Sequence, residues 1–330
     1  MNGWIILDKP LGLGSTQAVA AVKRVCREAG LGKVKVGHGG TLDPLATGVL
    51  PIALGEATKL TGRMLEASKT YDFTIAFGTE TDGLDAEGAA VATSDVRPTL
   101  AQVAAVLQRF TGAIEQVPPA FSAIKVNGKR AYDRARAGET VEMVARNVTI
   151  HSLSIAPNTA YRELVEGSSY SSAVGERKDS PSTSSGQTGK GVRDIIESIT
   201  LTAHVSKGTY IRSLARDIAH ALGTVGHVTM LRRTRAGPFS LEQAISLDKL
   251  NAFGHGAAHT DVILPLEAGL VDIPALNLSP EAAGAVRQGR VLTGVATDDG
   301  LYWVHAGDFR PLALVSLSAG TLTVARGLNL

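Results

Sequence analysis

The chain has a single cysteine, Cys26, in 330 residues. No disulfide can close within it, and no cysteine-based zinc site can form. A disulfide-stapled secreted fold is therefore excluded, and a reducing compartment fits. Long apolar runs are missing too: none approaches the length of a membrane span. The N-terminus lacks a basic stretch followed by an apolar signal core. We expect a cytoplasmic protein with no membrane partner. Net charge is almost absent, since 33 Lys and Arg against 31 Asp and Glu leave +2; no global basic field advertises a nucleic acid. Neither G-x-x-x-x-G-K-[ST] nor a G-x-G-x-x-G opening a βαβ unit occurs. The acidic turn Asp82-Gly83-Leu84-Asp85-Ala86-Glu87-Gly88 starts like a calcium loop, but its twelfth position is Thr93 rather than a bidentate Glu. We expect no metal and no cofactor.

What is present is an ordinary globular composition, 44% hydrophobic and 19% charged. The length suits one large domain and a small one. Ser15 or Thr16 can cap a helix to about Arg27, with Gly30 as its stop. Tyr71, Phe73, Ile75 and Phe77 alternate as in a strand. Thr99 to Phe110 reads as an amphipathic helix, and Val148 to Ile155 as a strand. Ile199, Leu201, Ala203 and Val205 alternate again, and a helix follows through Ile211, Leu214, Ile218 and Leu222 to Gly223. Residues 166–191 are rich in Ser, Gly, Thr and Lys, which predicts a disordered insertion in a hairpin loop. Beyond 272, short apolar runs between Gly-containing turns predict a small β domain.

Positive charge is local. Lys125, Lys129, Arg130, Arg134 and Arg136 face only Asp133 within 121–136. Lys207, Arg212, Arg216, Arg232, Arg233 and Arg235 face only Asp217 within 206–235. Each cluster could be a solvated face; two of them suit phosphate contacts better.

The densest signal is Gly37-His38-Gly39-Gly40-Thr41-Leu42-Asp43-Pro44-Leu45-Ala46-Thr47-Gly48. Four of these residues before the apolar run at Val49 are glycine, which lets another backbone or a ligand come close. One acid then sits on the rim of a buried strand, where active-site acids are often carried. Asp-Pro is also an ordinary turn or helix-start pair, so composition alone does not make Asp43 catalytic.

The block GHGGTLDPLATGVLPIALGEATKL, residues 37–60, resembles the catalytic motif of the TruB-type tRNA pseudouridine synthases. Trp4 to Pro10 with Gly12 resembles the family's opening motif, although Gly14 stands where the family more often has Ser. Lys69-Thr70-Tyr71 leading to Phe77-Gly78-Thr79-Glu80-Thr81-Asp82 resembles the tyrosine motif. Ser206 to Arg212 with Leu231-Arg232-Arg233 resembles the arginine motif. With Pro118 to Ala123, the likeness covers most of residues 3–245.

The resemblance implies an α+β fold: a mixed, mainly antiparallel sheet flanked by helices, with a small PUA-like C-terminal β domain. The catalytic domain would span 1–265, with an RNA-clamp segment at about 118–140, and the β domain 272–330. It implies isomerisation of uridine 55 in the tRNA T-loop, with base flipping and no cofactor. Asp43 would be the catalytic aspartate, Arg212 its cationic partner, and Tyr71 the ring stacked on the target base. His38 would fill the space of the displaced base or touch RNA, and Leu231 would wall the pocket. Lys125, Lys129, Arg130 and Lys207 would meet the T-arm, and Lys9 would brace the Asp43 loop. We expect a monomer of bacterial type that uses no guide RNA.

The chemistry suits a carboxylate, which can bond to an anomeric carbon or stabilise an oxocarbenium-like state. Two first steps fit equally: attack on the anomeric carbon, or removal of a ribose proton. Two other functions compete, a tRNA-binding chaperone without catalysis and a guide-RNA-dependent synthase. An intact Asp43, Tyr71 and Arg212 set argues against the first; the second implies longer basic extensions.

Overall fold

A computed structural model describes residues 1–126, 128–157, 195–255 and 262–330. The insertion expected at 166–191 lies outside the described residues. In chain order the elements are β1 (Gly3–Lys9), α1 (Ser15–Glu28), β2 (Val36–His38), β3 (Ala46–Leu54), α2 (Thr61–Glu66), β4 (Lys69–Phe77), β5 (Thr79–Thr81), β6 (Ala90–Thr93) and α3 (Leu100–Leu107). Next come β7 (Gly112–Gln116), β8 (Lys125–Val126), β9 (Lys129–Arg130), α4 (Ala131–Arg136), β10 (Arg146–Ile155), β11 (Ser198–Val205), α5 (Ile211–Ala221), β12 (Gly226–Ala236) and β13 (Phe239–Ser240). The chain ends with α6 (Leu247–Gly254), β14 (Ala275–Asn277), α7 (Pro280–Arg287), β15 (Leu292–Thr293), β16 (Gly300–His305), β17 (Ala313–Ser318) and β18 (Thr321–Gly327). The large sheet follows the order β1-β3-β12-β4-β11-β10-β7, with β2 on β3 and β13 on β12. It is a mainly antiparallel mixed sheet with helices and a separate C-terminal sheet, the expected α+β architecture.

Contacts divide the chain into two compact units. The first holds residues 1–72, 203–208 and 230–330. There β1 and β2 both run antiparallel to β3, while β12 joins β3 in parallel through Leu231↔Ala46, Arg232↔Thr47 and Arg233↔Gly48. One face of β1 and β3 buries Ile5, Leu7, Leu50, Ile52 and Leu54 against Ala18, Val22, Val25 and Cys26 of α1 and Leu250 and Phe253 of α6. The opposite face buries Trp4, Ile6, Val49 and Ala53 with Met64, Phe239 and Leu270. Period-two alternation on a two-sided sheet produces this division.

The Trp4 indole N–H donates to the Leu266 carbonyl at 3.0 Å, which removes the cost of an unpaired buried donor. The C-terminal sheet runs β14-β16-β17-β18-β15 and has its own core of Val304, Val315, Leu317 and Leu322 under α7. Its Leu314 joins Trp4 and Phe239 in the neighbouring core, and the Asn329 amide donates to the Glu56 carboxylate at 2.8 Å.

The second unit holds residues 73–202 and 209–229. Antiparallel β10 and β7 pair from Arg146↔Gln116 to Ile150↔Gly112. Phe73, Ile75 and Phe77 of β4 are buried, as are Val103, Val106 and Leu107 of α3 and Ile211, Leu214 and Ile218 of α5. The Thr99 hydroxyl accepts from the Gln102 amide, and the Gln102 side chain accepts from the Thr99 amide, a reciprocal cap that starts α3 where the pattern places it.

The start of α1 differs from expectation. Its N-cap is Gly14, whose amide donates to the Gln17 side-chain oxygen at 2.7 Å. Glycine caps nearly as well as serine, and the Ser15 hydroxyl is engaged elsewhere. Asp43-Pro44 starts no helix either. It forms a turn closed by the Ala46 amide donating to the Asp43 carbonyl at 3.0 Å, with Pro in the position whose φ it presets.

Gly48 has φ +98°, and any Cβ there would run into the Arg233 carbonyl across the parallel β12–β3 pair. Gly48→Ala should cost about 2–5 kcal/mol, combining left-handed strain with overpacking. Urea unfolding measures it; a loss below about 1 kcal/mol would mean that β3 and β12 separate at no penalty.

Candidate active site

The first unit carries Asp43, His38, Tyr71, Leu231 and Lys207; the second carries Arg212, Lys125, Lys129 and Arg130.

The Asp43 loop has no strand ladder of its own, so its backbone groups need other partners. Every carbonyl from Gly40 to Pro44 has one. Arg233 donates to Gly40 at 3.1 Å and Thr41 at 3.3 Å, and its Nε donates to Val49 at 2.7 Å. The Ser15 hydroxyl donates to the Leu42 carbonyl at 2.9 Å and accepts from the Leu42 amide at 2.8 Å. The Asp43 carbonyl closes the turn already described. Pro44 accepts from the Gly12 amide at 2.9 Å and from Lys9 at 3.3 Å. Lys9 also donates to Pro10 at 3.0 Å and Leu13 at 2.6 Å.

The bracing role expected of Lys9 is thus met. Arg233 and Ser15 are loop-holding residues that the sequence reading missed. The sequence groups Arg233 with charge suited to phosphate contacts, yet it is only 1% exposed.

Burial pulls the Lys9 ammonium down to about 8, with nearby Asp43 opposing the shift and Arg233 adding to it. Lys69, buried and bonded to the Leu65 and Ala67 carbonyls at 2.6 Å, is likewise lowered to about 8, chiefly by burial and then by Arg233. His38 lies on β2, with Nδ1 accepting from the Gly40 amide at 3.4 Å. Burial, then Arg233, lowers its pKa, so the imidazole is neutral at neutral pH.

Tyr71 and Leu231 both pack, half-buried, on the core cluster that contains Leu42 and Ala46, the flanks of the Asp43 turn. The β12–β3 register sets Leu231 opposite Ala46. The fold thereby gathers the tyrosine, the apolar wall and the acid-bearing loop around one core. Arg232 forms a two-pronged pair with Asp8, 3.0 and 2.8 Å. Exposed Lys207 pairs with Glu66.

In the second unit Arg212 occupies the first turn of α5, where the helix dipole disfavours a cation, yet it is 7% exposed. Its guanidinium donates to the Gly83 carbonyl at 2.7 Å, the Phe121 carbonyl at 3.0 Å and the Asp85 carboxylate at 3.1 Å. Buried and hydrogen-bonded, it is no ordinary surface charge. Asp85, read from sequence as part of an acidic turn, is a partner of the candidate arginine.

The next residues of α5 secure the approach to the basic segment. The Ser213 hydroxyl donates to Val117 at 2.8 Å and Arg216 to the same carbonyl at 3.2 Å. Lys125 and Arg130 then stand directly opposite each other, both exposed, in the β8–β9 pair. Asn127, between the two strands, lies outside the described residues. Arg130 and Arg136 sit 5.8 and 5.5 Å from the Tyr132 ring centre. In the basic cluster at 206–235, Arg212, Arg216, Arg232 and Arg233 all make contacts within their own units, while Lys207 and Arg235 are exposed.

Comparison with known proteins gives this geometry a family. Residues 27–165 match the profile "TruB family pseudouridylate synthase (N terminal domain)", and residues 212–271 match "tRNA pseudouridylate synthase B C-terminal domain". The chain is 65% identical over 330 residues to tRNA pseudouridine synthase B of Novosphingobium aromaticivorans, covering 100% of this chain and 98% of that protein. It is 51% identical over 332 residues to the protein of the same name from Zymomonas mobilis, covering 100% and 96%. A solved H/ACA RNP bound to a substrate RNA containing 2'-deoxyuridine shares the fold, with TM-score 0.67 and 22% identity over 99% of this chain and 85% of that one. These matches define a pseudouridylate synthase, an isomerase. The chain belongs to the TruB family.

Two measurements check the loop. Arg233→Lys leaves at least one buried carbonyl without a donor, because a point charge does not span both sides of the loop. It should lose about 1–3 kcal/mol in denaturant melts, and full stability would show that the guanidinium fork is dispensable. Lys69 provides a pH test. Its folded pKa of about 8 lies below the ordinary 10.5, so between these values the unfolded chain holds more protons and stability rises with pH. The stability of wild type minus that of Lys69→Met should therefore increase from pH 8 to 10. A flat or falling difference would contradict the burial.

Proposed function

We propose that the protein isomerises uridine 55 of the tRNA T-loop to pseudouridine, with Asp43 as its catalytic aspartate. The observation that carries this reading is the Asp43 turn, with every neighbouring carbonyl satisfied and Tyr71 and Leu231 on the same core. A rigidly held carboxylate suits attack at a sugar anomeric carbon, or removal of a ribose proton. Tyr71 stacks on the target base, a contact that contributes roughly 1–3 kcal/mol towards holding the nucleotide out of its stack. Neutral His38 occupies the space of the displaced base, and Leu231 is an apolar wall.

Arg212 supplies a fixed guanidinium that the reaction requires. Its bonds to Gly83, Asp85 and Phe121 preorganise it. Lys125, Lys129 and Arg130 clamp the T-arm. Two cations facing each other across a strand pair repel, and a phosphate between them would relieve the repulsion. Lys207 adds a further phosphate contact. The enzyme acts as a cytoplasmic monomer without a guide RNA. No described helix is long and apolar enough to cross a membrane.

The decisive experiment incubates purified protein with an unmodified tRNA transcript and maps pseudouridine. Formation at position 55 is expected; binding without isomerisation would leave a tRNA chaperone. Asp43→Asn should abolish turnover and retain tRNA binding, and a variant within tenfold of wild type would end the assignment. Arg212→Lys should lose most activity, because a point charge does not replace the fork. Tyr71→Phe should bind tRNA nearly as well but turn over poorly if the hydroxyl takes part; equal turnover reduces the ring to stacking.

Neutralising Lys125, Lys129 and Arg130 together should weaken tRNA binding. The log–log salt slope should flatten by roughly one unit per lost phosphate contact. An unchanged slope would make the hairpin a merely solvated face.

A further inference from the structure

A third concentration of positive charge lies in the first unit. Residues 23–35 contain Lys23, Arg24, Arg27, Lys33 and Lys35 against a single acid, Glu28. That acid is used locally, since Glu28 pairs with Arg24 at 3.7 Å, and Arg24 also reaches Asn251 at 3.0 Å. The four remaining cations line one open cleft of about 550 Å³, together with Gly32, Val34 and Val36. All four are exposed. Lys23, Arg27 and Lys33 enter none of the ion pairs recorded among the described residues. Lys35 feels Glu56, which is itself bonded to Lys59 at 2.7 Å.

The arrangement is unfavourable without an anion. Lys23 and Arg27 are four residues apart on α1, a like-charge spacing that costs a few tenths of a kcal/mol in a helix. Lys33 and Lys35 then bring two more cations to the same opening. The whole chain carries only +2, so this concentration is local. A cleft walled by one sign of charge focuses the field on its mouth.

Its position relates it to the Asp43 loop. The Lys35 carbonyl accepts from the Gly55 amide at 2.8 Å, which anchors the rim to the end of β3. Val36–His38 then continue as β2 beside β3 and lead straight into Gly39 and Gly40. Three extended residues span about 10 Å, so the rim at Lys35 lies one short strand from His38.

We propose that Lys23, Arg27, Lys33 and Lys35 form a binding site for consecutive phosphate groups of the substrate RNA backbone, outside the nucleotide served by Asp43. This rests on the RNA-modifying reading above. The ligand chemistry is a row of phosphates, which an RNA strand or a free polyphosphate can supply. The observations favour RNA, because the cleft is open and adjoins the strand leading to the loop.

The test replaces Lys23, Arg27 and Lys33 with Gln, together and singly. Binding of an unmodified tRNA transcript is measured across a salt series, with inorganic triphosphate titrated in parallel. The triple variant should bind tRNA at least tenfold more weakly at low salt. Its salt slope should fall by roughly 0.7–0.9 for each phosphate contact removed. Each single variant should show part of the change, which protects the test should the triple variant fold poorly. Unchanged tRNA affinity and slope overturn the proposal. So does unchanged tRNA binding with lost triphosphate binding, which would mark a small-anion site. Pseudouridine formation by wild type is scored separately: absent product with the salt-slope change present removes the catalytic reading and leaves this site standing.

Discussion

The structure turns on one requirement, that five consecutive carbonyls from Gly40 to Pro44 find donors outside any helix or sheet. Three side chains meet most of it: Arg233 takes two, Ser15 one, and Lys9 shares the last with the Gly12 amide. A loop left to water would sample many conformations, and each ordered residue costs roughly 1–2 kcal/mol of backbone entropy. Bonding every carbonyl offsets that cost where rigidity matters. Two of the donors are buried cations. The same contacts that set the backbone therefore place positive charge near the acid, and the Asp43 charge in turn steadies Lys9.

Cations serve two different ends in this chain. Lys9, Lys69, Arg212 and Arg233 are buried and bonded to carbonyl oxygens. They shape the backbone near the proposed chemistry. Lys125, Lys129 and Arg130 stand exposed on a hairpin, where long flexible stems suit contact with a mobile polyanion. A nearly neutral total hides both groups. Counting charges in a window cannot separate them, because burial depends on strand register and helix face.

Much of the fold was legible. The alternation of Tyr71 to Phe77 and of Ile199 to Val205 yields β4 and β11, and the Thr99 and Gly223 boundaries hold. These signals are local, set by period and by capping chemistry. What escaped was long-range. Ser15 looked like a cap because Ser before an apolar stripe usually is one, but its hydroxyl reaches Leu42 27 positions away. Arg233 looked exposed because it sits among other arginines, while the parallel pairing of β12 with β3 buries it. Asp85 belonged to a turn in sequence and meets Arg212 only after folding. Asp43 itself could be singled out only through resemblance, since Asp-Pro turns are common.

The clamp on the Asp43 loop is drawn from distant parts of the chain. Lys9 and Ser15 precede the loop, but Arg233 follows it by 190 residues. During synthesis the loop therefore emerges long before the residue that fixes two of its carbonyls. Until β12 has been made and has docked on β3, Gly40 and Thr41 lack their native donor, and the acid rests on an unfinished support. Completion of the loop is thus timed by the late strand, and any truncation before Arg233 would leave the Gly37–Gly48 sequence in place without the donor to Gly40 and Thr41.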